Sequence, residues 1–152
     1  VEVYRICLAK YAGALVASGQ PARWNLRGQF VLYAAGSRAL ACLENVVHRS
    51  GEGLSELFKV VRIEFPNQLP VEELTMDELP ADWQHPQHYA RCQPLRAAWY
   101  ARRTAAVLRV PSSIIAQEFN YVINTQHPDF TQVRLAGVED FVFDPRIKHD
   151  DL

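Results

Sequence analysis

Ser37-Arg38-Ala39-Leu40-Ala41-Cys42-Leu43-Glu44-Asn45-Val46-Val47-His48 reads as a helix, opened by Ser37 at the capping position and free of Gly and Pro. Leu40, Leu43 and Val47 recur at helical spacing and predict an apolar stripe. Glu44 follows Leu40 by four residues, and at about 100° per residue it falls within roughly 40° of that stripe. A carboxylate facing a core is costly unless a cation or hydrogen-bond donors compensate it. Glu44 is therefore either paired internally or aimed into a pocket. Just upstream, Phe30-Val31-Leu32-Tyr33-Ala34 is rich in aromatic and β-branched residues and predicts a strand.

Outward from this strand–helix pair the chain alternates element types. Val3 to Leu8 suits a first strand, and Tyr11 to Arg23 is irregular, punctuated by Gly13, Gly19 and Pro21. The central helix is expected to end near Ser50-Gly51. In Leu57 to Phe65, Val61, Ile63 and Phe65 alternate with Arg62 and Glu64, the pattern of a half-buried strand. Residues 66–90 carry Pro66, Pro70, Pro80 and Pro86 and predict a long loop with at most a short helical turn. Pro94 to Arg103 predicts a second helix with Leu95, Ala98 and Trp99 on its apolar edge. Ala105 to Val110 predicts a strand stopped by Pro111, which leaves Ser112 at its carboxyl end. Ser113 to Asn124 reads as either a helix or a tight loop, and Val133 to Phe143 as a closing hairpin around Gly137. The expected class is α+β: one domain over residues 1–152 with a mixed or mostly antiparallel sheet.

Composition narrows the function. A chain of 152 residues, 49% hydrophobic and 22% charged, is globular rather than disordered. With 16 basic and 17 acidic residues the net charge is −1, so no global pull toward nucleic acid or an anionic membrane is expected. Cys7, Cys42 and Cys92 are an odd number without close pairing, which fits a reducing compartment and predicts a cytoplasmic protein. No apolar run reaches the length of a membrane span. The start reads as a strand rather than a secretion signal, and its first residue is Val rather than Met, which suggests numbering from a later position.

Among the motifs, there is neither GxGxxG nor a Walker A sequence, and Gly51-Glu52-Gly53 is acidic and would repel phosphate. Arg23-Trp24-Asn25 is more suggestive: a guanidinium suits a pyrophosphate and an indole can stack on a ring, against the alternative of a loop anchor. Tyr33, at a strand end, suits stacking or a hydrogen bond to an aromatic ligand, or plain amphipathic packing. Ser112 with His127 and Asp129 supplies the residue types of a hydrolase triad, but no GxSxG elbow surrounds the serine. His85, His88 and Cys92 have loose metal-ligand spacing without an obvious fourth ligand, and no metal is expected. Arg91, Arg96, Arg102, Arg103 and Arg109 form a basic cluster that suits a solvated face or an acidic partner segment.

Taken together, Ala22-Arg23-Trp24-Asn25, Val31-Leu32-Tyr33-Ala34-Ala35, Leu40-Ala41-Cys42-Leu43-Glu44 and Leu108-Arg109-Val110-Pro111-Ser112 resemble the RES-domain toxins, bacterial proteins named for arginine, glutamate and serine motifs. Tyr4-Arg5-Ile6, Gln117-Glu118-Phe119-Asn120-Tyr121 and Asn124 with His127-Pro128-Asp129-Phe130 extend the resemblance over about the whole chain. Pro21-Ala22 stands where the family often has two glycines. The resemblance implies an α+β fold related to ADP-ribosyltransferases and NAD as substrate, with no further cofactor required. It implies the toxin of a type II toxin–antitoxin system that cleaves the nicotinamide–ribose bond by hydrolysis or phosphorolysis. A mono-ADP-ribosyltransferase and a non-catalytic nucleotide-binding module are the alternatives. The implied partner is a cognate Xre-type antitoxin, a DNA-binding helix-turn-helix repressor that covers the active site. A homo-oligomer within that complex is compatible with it; direct nucleic-acid or membrane contact is not expected. Arg23, Tyr33, Glu44 and Ser112 become the catalytic set, and Arg23, Trp24, Asn25, Tyr33 and Ser112 the NAD-binding set.

Overall fold

The computed structural model describes residues 1–48 and 57–147. The expected helix end near Ser50-Gly51 and the Gly51-Glu52-Gly53 segment lie outside them. Strands β1 (Glu2–Leu8) and β2 (Val31–Ala35) are followed by helix α1 (Arg38–His48), β3 (Phe58–Glu64) and β4 (Val71–Glu73). Helix α2 (Tyr89–Arg102) then leads into β5 (Val107–Pro111), β6 (Phe119–Asn124) and β7 (Arg134–Phe141). Among the described residues the strands form one sheet in the order β4-β5-β6-β2-β1-β3-β7. Only the β4–β5 pair is parallel, so the mixed, mostly antiparallel α+β sheet expected from the sequence is the one observed.

A seam divides this sheet. Strand β1 pairs with β3 along its full length, from Glu2↔Glu64 to Leu8↔Phe58, and β2 pairs with β6 from Val31↔Asn124 to Ala35↔Asn120. Between β1 and β2 the register holds a single pair, Tyr4↔Ala35. Two well-paired ribbons therefore meet at one point and part on either side of it. On the seam, the Ile6 carbonyl accepts a hydrogen bond from Asn45 Nδ2 of α1 (3.1 Å).

Strand alternation sends side chains to two faces. One face carries Val3, Leu32, Ile63, Val107 and Ile123, covered by Ala12 and Phe65. The other carries two separate clusters. Trp24, Trp83, Cys92 and Trp99 pack on Val31, Leu108, Val110 and Val122, while Leu40 and Ala41 of α1 pack on Ile6, Ala35, Phe58 and Val60. The trough between those clusters lies over the seam.

Several local expectations are corrected. Ser37 does cap α1, its Oγ accepting from Leu40 N at 3.1 Å, but the buried face is Leu40 and Ala41 rather than Leu40, Leu43 and Val47. Leu43 and Val47 are exposed. Apolar residues surround this helix on several sides, so periodicity misplaced the face by about a residue, and small Ala41 lets the backbone settle on the sheet. Helix α2 begins at Tyr89, with Pro94 inside it. The hydrogen bond that Pro94 cannot donate is outweighed by burial of Cys92 and Trp99 in the tryptophan cluster. The Pro-rich stretch holds a short strand, β4, on the sheet edge, where Pro70 just precedes the pairing and does no harm.

Ser113 to Asn124 contributes strand β6, not a helix. As a central strand buried on both faces, it lacks the alternation that would have betrayed it. The stretch Val133 to Phe143 holds a single edge strand, β7 (Arg134–Phe141), not a hairpin. Gly137 faces Arg62 where the β3–β7 register shifts; a β-carbon there would lie 2.3 Å from Arg62 Nη2. This glycine marks a close approach rather than a turn.

Candidate functional site

A cavity of about 440 Å³ opens in the trough, within the range of small-molecule sites. Tyr4, Arg5 and Ile6 of β1 and Tyr33, Ala34 and Ala35 of β2 line it where the strands part. Residues of opposite pleat, such as Arg5 and Ile6, both reach it because the seam exposes strand edges as well as one face. Ala41, Glu44 and Asn45 of α1 form one wall, and Pro21 to Trp24 the other.

On the α1 wall, Glu44 is half-buried and accepts a hydrogen bond from Ser112 Oγ at 3.0 Å. Ser112 is fully buried where Pro111 ends β5. Its Oγ in turn accepts from the backbone N–H groups of Ile114 (3.0 Å) and Ile115 (3.1 Å). Two donors into the oxygen fix the hydroxyl and polarise its proton toward the carboxylate. The serine's single proton is thus spent on Glu44. Ser113, its neighbour, lines the cavity itself.

On the opposite wall, Arg23 is 6% exposed, in a tight turn closed by the Ala22↔Asn25 bridge. Its Nη1 donates to the Trp83 carbonyl (2.5 Å) and its Nη2 to the Gln84 carbonyl (2.9 Å). The guanidinium also lies 5.6 Å from the centroid of the Trp83 ring. Asn25 is buried behind the turn and ties it down through Nδ2, which donates to the carbonyls of Gln20, Leu26 and Gln29. Tyr33 Oη donates to Asn25 Oδ1 (2.5 Å) and accepts from Trp24 N (3.1 Å), which leaves its ring as cavity wall. Gln93 of α2 braces the turn from outside, Nε2 donating to the Ala22 carbonyl at 2.9 Å.

Arg23, Trp24, Tyr33 and Glu44 therefore converge on one cavity, with Ser112 behind Glu44 and Asn25 behind Tyr33. Arg5, Asn45 and Asn120 line the cavity and were not singled out as site residues from the sequence. Their signal was a polar residue inside an apolar strand or beside the outlying carboxylate. Tyr4 donates to Glu2 Oε1 (2.8 Å), and that bond, with burial and the carboxylate's charge, raises the phenol above its ordinary value.

The remaining sequence motifs dissolve into structure. His127 caps the turn at Pro128, Nδ1 accepting from Asp129 N (3.0 Å) and Nε2 meeting the Arg103 carbonyl (2.8 Å); Ser112 is bonded to Glu44 instead. His88 Nδ1 binds the Asp82 carbonyl, and among the described residues no three His, Cys, Asp or Glu gather as a metal would need. The basic cluster is not one open face, because Arg102 pairs with Glu72 and Arg109 with Glu73. No helix among the described residues is long and apolar enough to cross a membrane.

Fold and cavity together define a single-domain α+β protein with a cavity of small-molecule size on a split sheet. The RES domain model matches residues 2–144, and the chain belongs to the RES domain family. It is 37% identical over 138 residues to the "Prs ADP-ribosylating toxin" of Sphingobium sp. (strain YBL2), covering 90% of this chain and 84% of that protein. It is 29% identical to "Toxin Res" of Yersinia enterocolitica (96% and 99% covered) and 32% identical to "Toxin Res" of Pseudomonas putida (89% of each). A chain from the crystal structure of the M. tuberculosis MbcT-MbcA toxin–antitoxin complex superposes with a TM-score of 0.73 at 22% identity, covering 93% of this chain and 84% of that one, so the likeness is one of fold.

Proposed function

We propose that this chain is the toxin of a toxin–antitoxin pair, acting in the cytoplasm by breaking the nicotinamide–ribose bond of NAD. The observation that carries the reading is the Glu44 carboxylate, set at the cavity wall by the Ser112 hydroxyl and facing the Arg23 turn across a cavity of ligand size. Relatives called toxins support the biological role, and the name of the Sphingobium protein supports chemistry on ADP-ribose.

When the C1′–N bond breaks, its electron pair stays on the pyridine nitrogen and nicotinamide departs neutral. Positive charge develops on the ribose as an oxocarbenium ion, as in glycoside cleavage. A fixed carboxylate stabilises charge that appears only in the transition state, and that is the role of Glu44. Ser112 holds the carboxylate in place. Arg23 supplies cationic charge toward the pyrophosphate, in the absence of a glycine-rich cradle, while the rings of Trp24 and Tyr33 confine the base and sugar. Phosphate, or water that gives up a proton to solvent, then bonds to C1′. Positioning and electrostatics supply the rate without a further cofactor.

A second reading has specific support: the "ADP-ribosylating" relative favours a protein nucleophile capturing C1′. Purified chain incubated with NAD separates the two. Nicotinamide release without an added protein, with or without phosphate, is the expected result. Labelled ADP-ribose appearing on a protein only when that protein is present would shift the assignment to transfer, and no release under any condition would remove both. The partner proposed is an Xre-type repressor whose C-terminal segment covers the cavity mouth.

A further inference from the structure

Asn120 is a pocket residue whose side-chain oxygen has no hydrogen-bond partner among the described residues. It lies on β6, 8% exposed, and lines the cavity, with Oδ1 buried. Buried amides are almost always satisfied, so an unsatisfied one in a cavity wall marks a place completed by something else. Asn45, nearby, also has an unpartnered Oδ1 among the described residues, but its Nδ2 is committed to the Ile6 carbonyl and stitches α1 to β1.

Register places Asn120 beside the chemistry. It pairs with Val110 on one side and Ala35 on the other, and Ser112 N bonds the Glu118 carbonyl two residues before it. Val110, Ser112 and Asn120 therefore share a sheet face, one step apart, with Glu44 held at Ser112. A group beside the carboxylate that stabilises C1′ meets the base attached to C1′. An Asn amide offers an acceptor and a donor in one plane, and a primary carboxamide presents the complementary donor and acceptor. A pyridine carboxylate offers acceptors alone, so Oδ1 would face a negative oxygen.

We propose that Asn120 is the specificity-determining residue for the leaving group, pairing with the carboxamide of nicotinamide and rejecting the corresponding acid. This rests on the reading of the cavity as an NAD-cleaving site. The test is the ratio of kcat/KM for NAD and for its nicotinic acid analogue in the wild-type chain, Asn120→Leu and Asn120→Ala. Leu keeps the volume and removes the polar group; Ala guards against a steric failure of the first. A site built to hydrogen-bond a substrate amide should prefer NAD by about 100-fold or more, and both variants should bring the ratio to within about 5-fold, mainly by losing turnover of NAD. Normal wild-type turnover with an unchanged ratio in folded variants overturns the assignment of Asn120 alone. Turnover of neither dinucleotide by the wild type overturns the NAD reading and this inference with it.

Discussion

On the α1 wall of the cavity, a carboxylate is set through a buried hydroxyl, and the amide oxygens of Asn45 and Asn120 in the surrounding surface have no hydrogen-bond partner among the described residues. On the opposite wall a cation sits in a turn cross-tied by Asn25, Tyr33 and Gln93, and itself grips the carbonyls of Trp83 and Gln84. Among the described residues the first wall leaves two amide oxygens unused, while the second spends much of its hydrogen-bonding capacity on the fold. Side chains on the first wall should therefore reveal themselves in turnover, and those on the second in turnover and stability together.

The sharpest way to break this contrast is Glu44→Gln. The shape is kept and the Ser112 proton still has an oxygen to meet, but the negative charge is gone. Nicotinamide release should fall about 100- to 1000-fold in kcat with KM little changed. The melting temperature should hold or rise, since a partly desolvated carboxylate is relieved. An earlier melt with near wild-type release would make Glu44 a structural residue and dissolve the contrast.

Arg23→Ala should have the next largest effect and a mixed signature. A pyrophosphate is charged in ground and transition states alike, so the loss should appear mostly as a rise in KM, about 10-fold or more. Sequence alone pointed to that binding effect only. Because the guanidinium also bonds two carbonyls, removing it should cost about 2 kcal/mol and lower the melting temperature by roughly 4–8 °C. A variant that melts like the wild type would show the Trp83–Gln84 contact to be idle.

Glu44 was legible because a carboxylate at i+4 from Leu40 violates the pattern of a helix face, and Ser112 because Pro111 ends a strand there. What each touches was not legible. The contact between them joins residues 68 apart in the chain, and nothing local encodes which strand end comes to rest on which helix. Strand β6 was missed because burial on both faces erases alternation, and Gly137 was misread because a glycine at a close approach looks like a glycine in a turn. Asn120 followed β6 into obscurity: its meaning depends on lying in a strand beside Ser112.

Ser112→Ala tests whether the α1 wall works as a unit. The carboxylate would remain but lose its donor, and the Ile114 and Ile115 N–H groups would lose their acceptor. Expected are a fall of about 10-fold in kcat, smaller than for Glu44→Gln, and a stability loss of about 1–2 kcal/mol by denaturant titration. The double variant should be no slower than Glu44→Gln alone, because the serine acts through the glutamate. Additive losses would mean that Ser112 touches the substrate on its own account.

The smallest effect should come from outside the cavity, where α1 is anchored at its start. Arg38 donates to Glu139 of β7 through Nε (2.9 Å) and Nη2 (2.7 Å), and Arg62 lies 3.4 Å from the same carboxylate. The hydrogen bond from Arg38, aided by the charges of Arg38 and Arg62 and opposed by desolvation, holds the Glu139 carboxyl below its ordinary value. A carboxyl with a folded pKa below its unfolded one adds stability above the unfolded value, near 4.5, and that stability is lost as pH falls through the folded value. Wild type should therefore lose melting temperature on acidification below about pH 5 slightly more steeply than Glu139→Gln. Part of the slope will persist, because Asp140 and Asp144 are lowered by their own bonds to Lys59 and Arg146. The pair is exposed, so high salt should shrink the difference between the two chains, and nicotinamide release at neutral pH should be the same in both. Identical acid slopes at low salt would mean that this ion pair does not anchor α1, and that the wall bearing Glu44 is held by its buried contacts with the sheet.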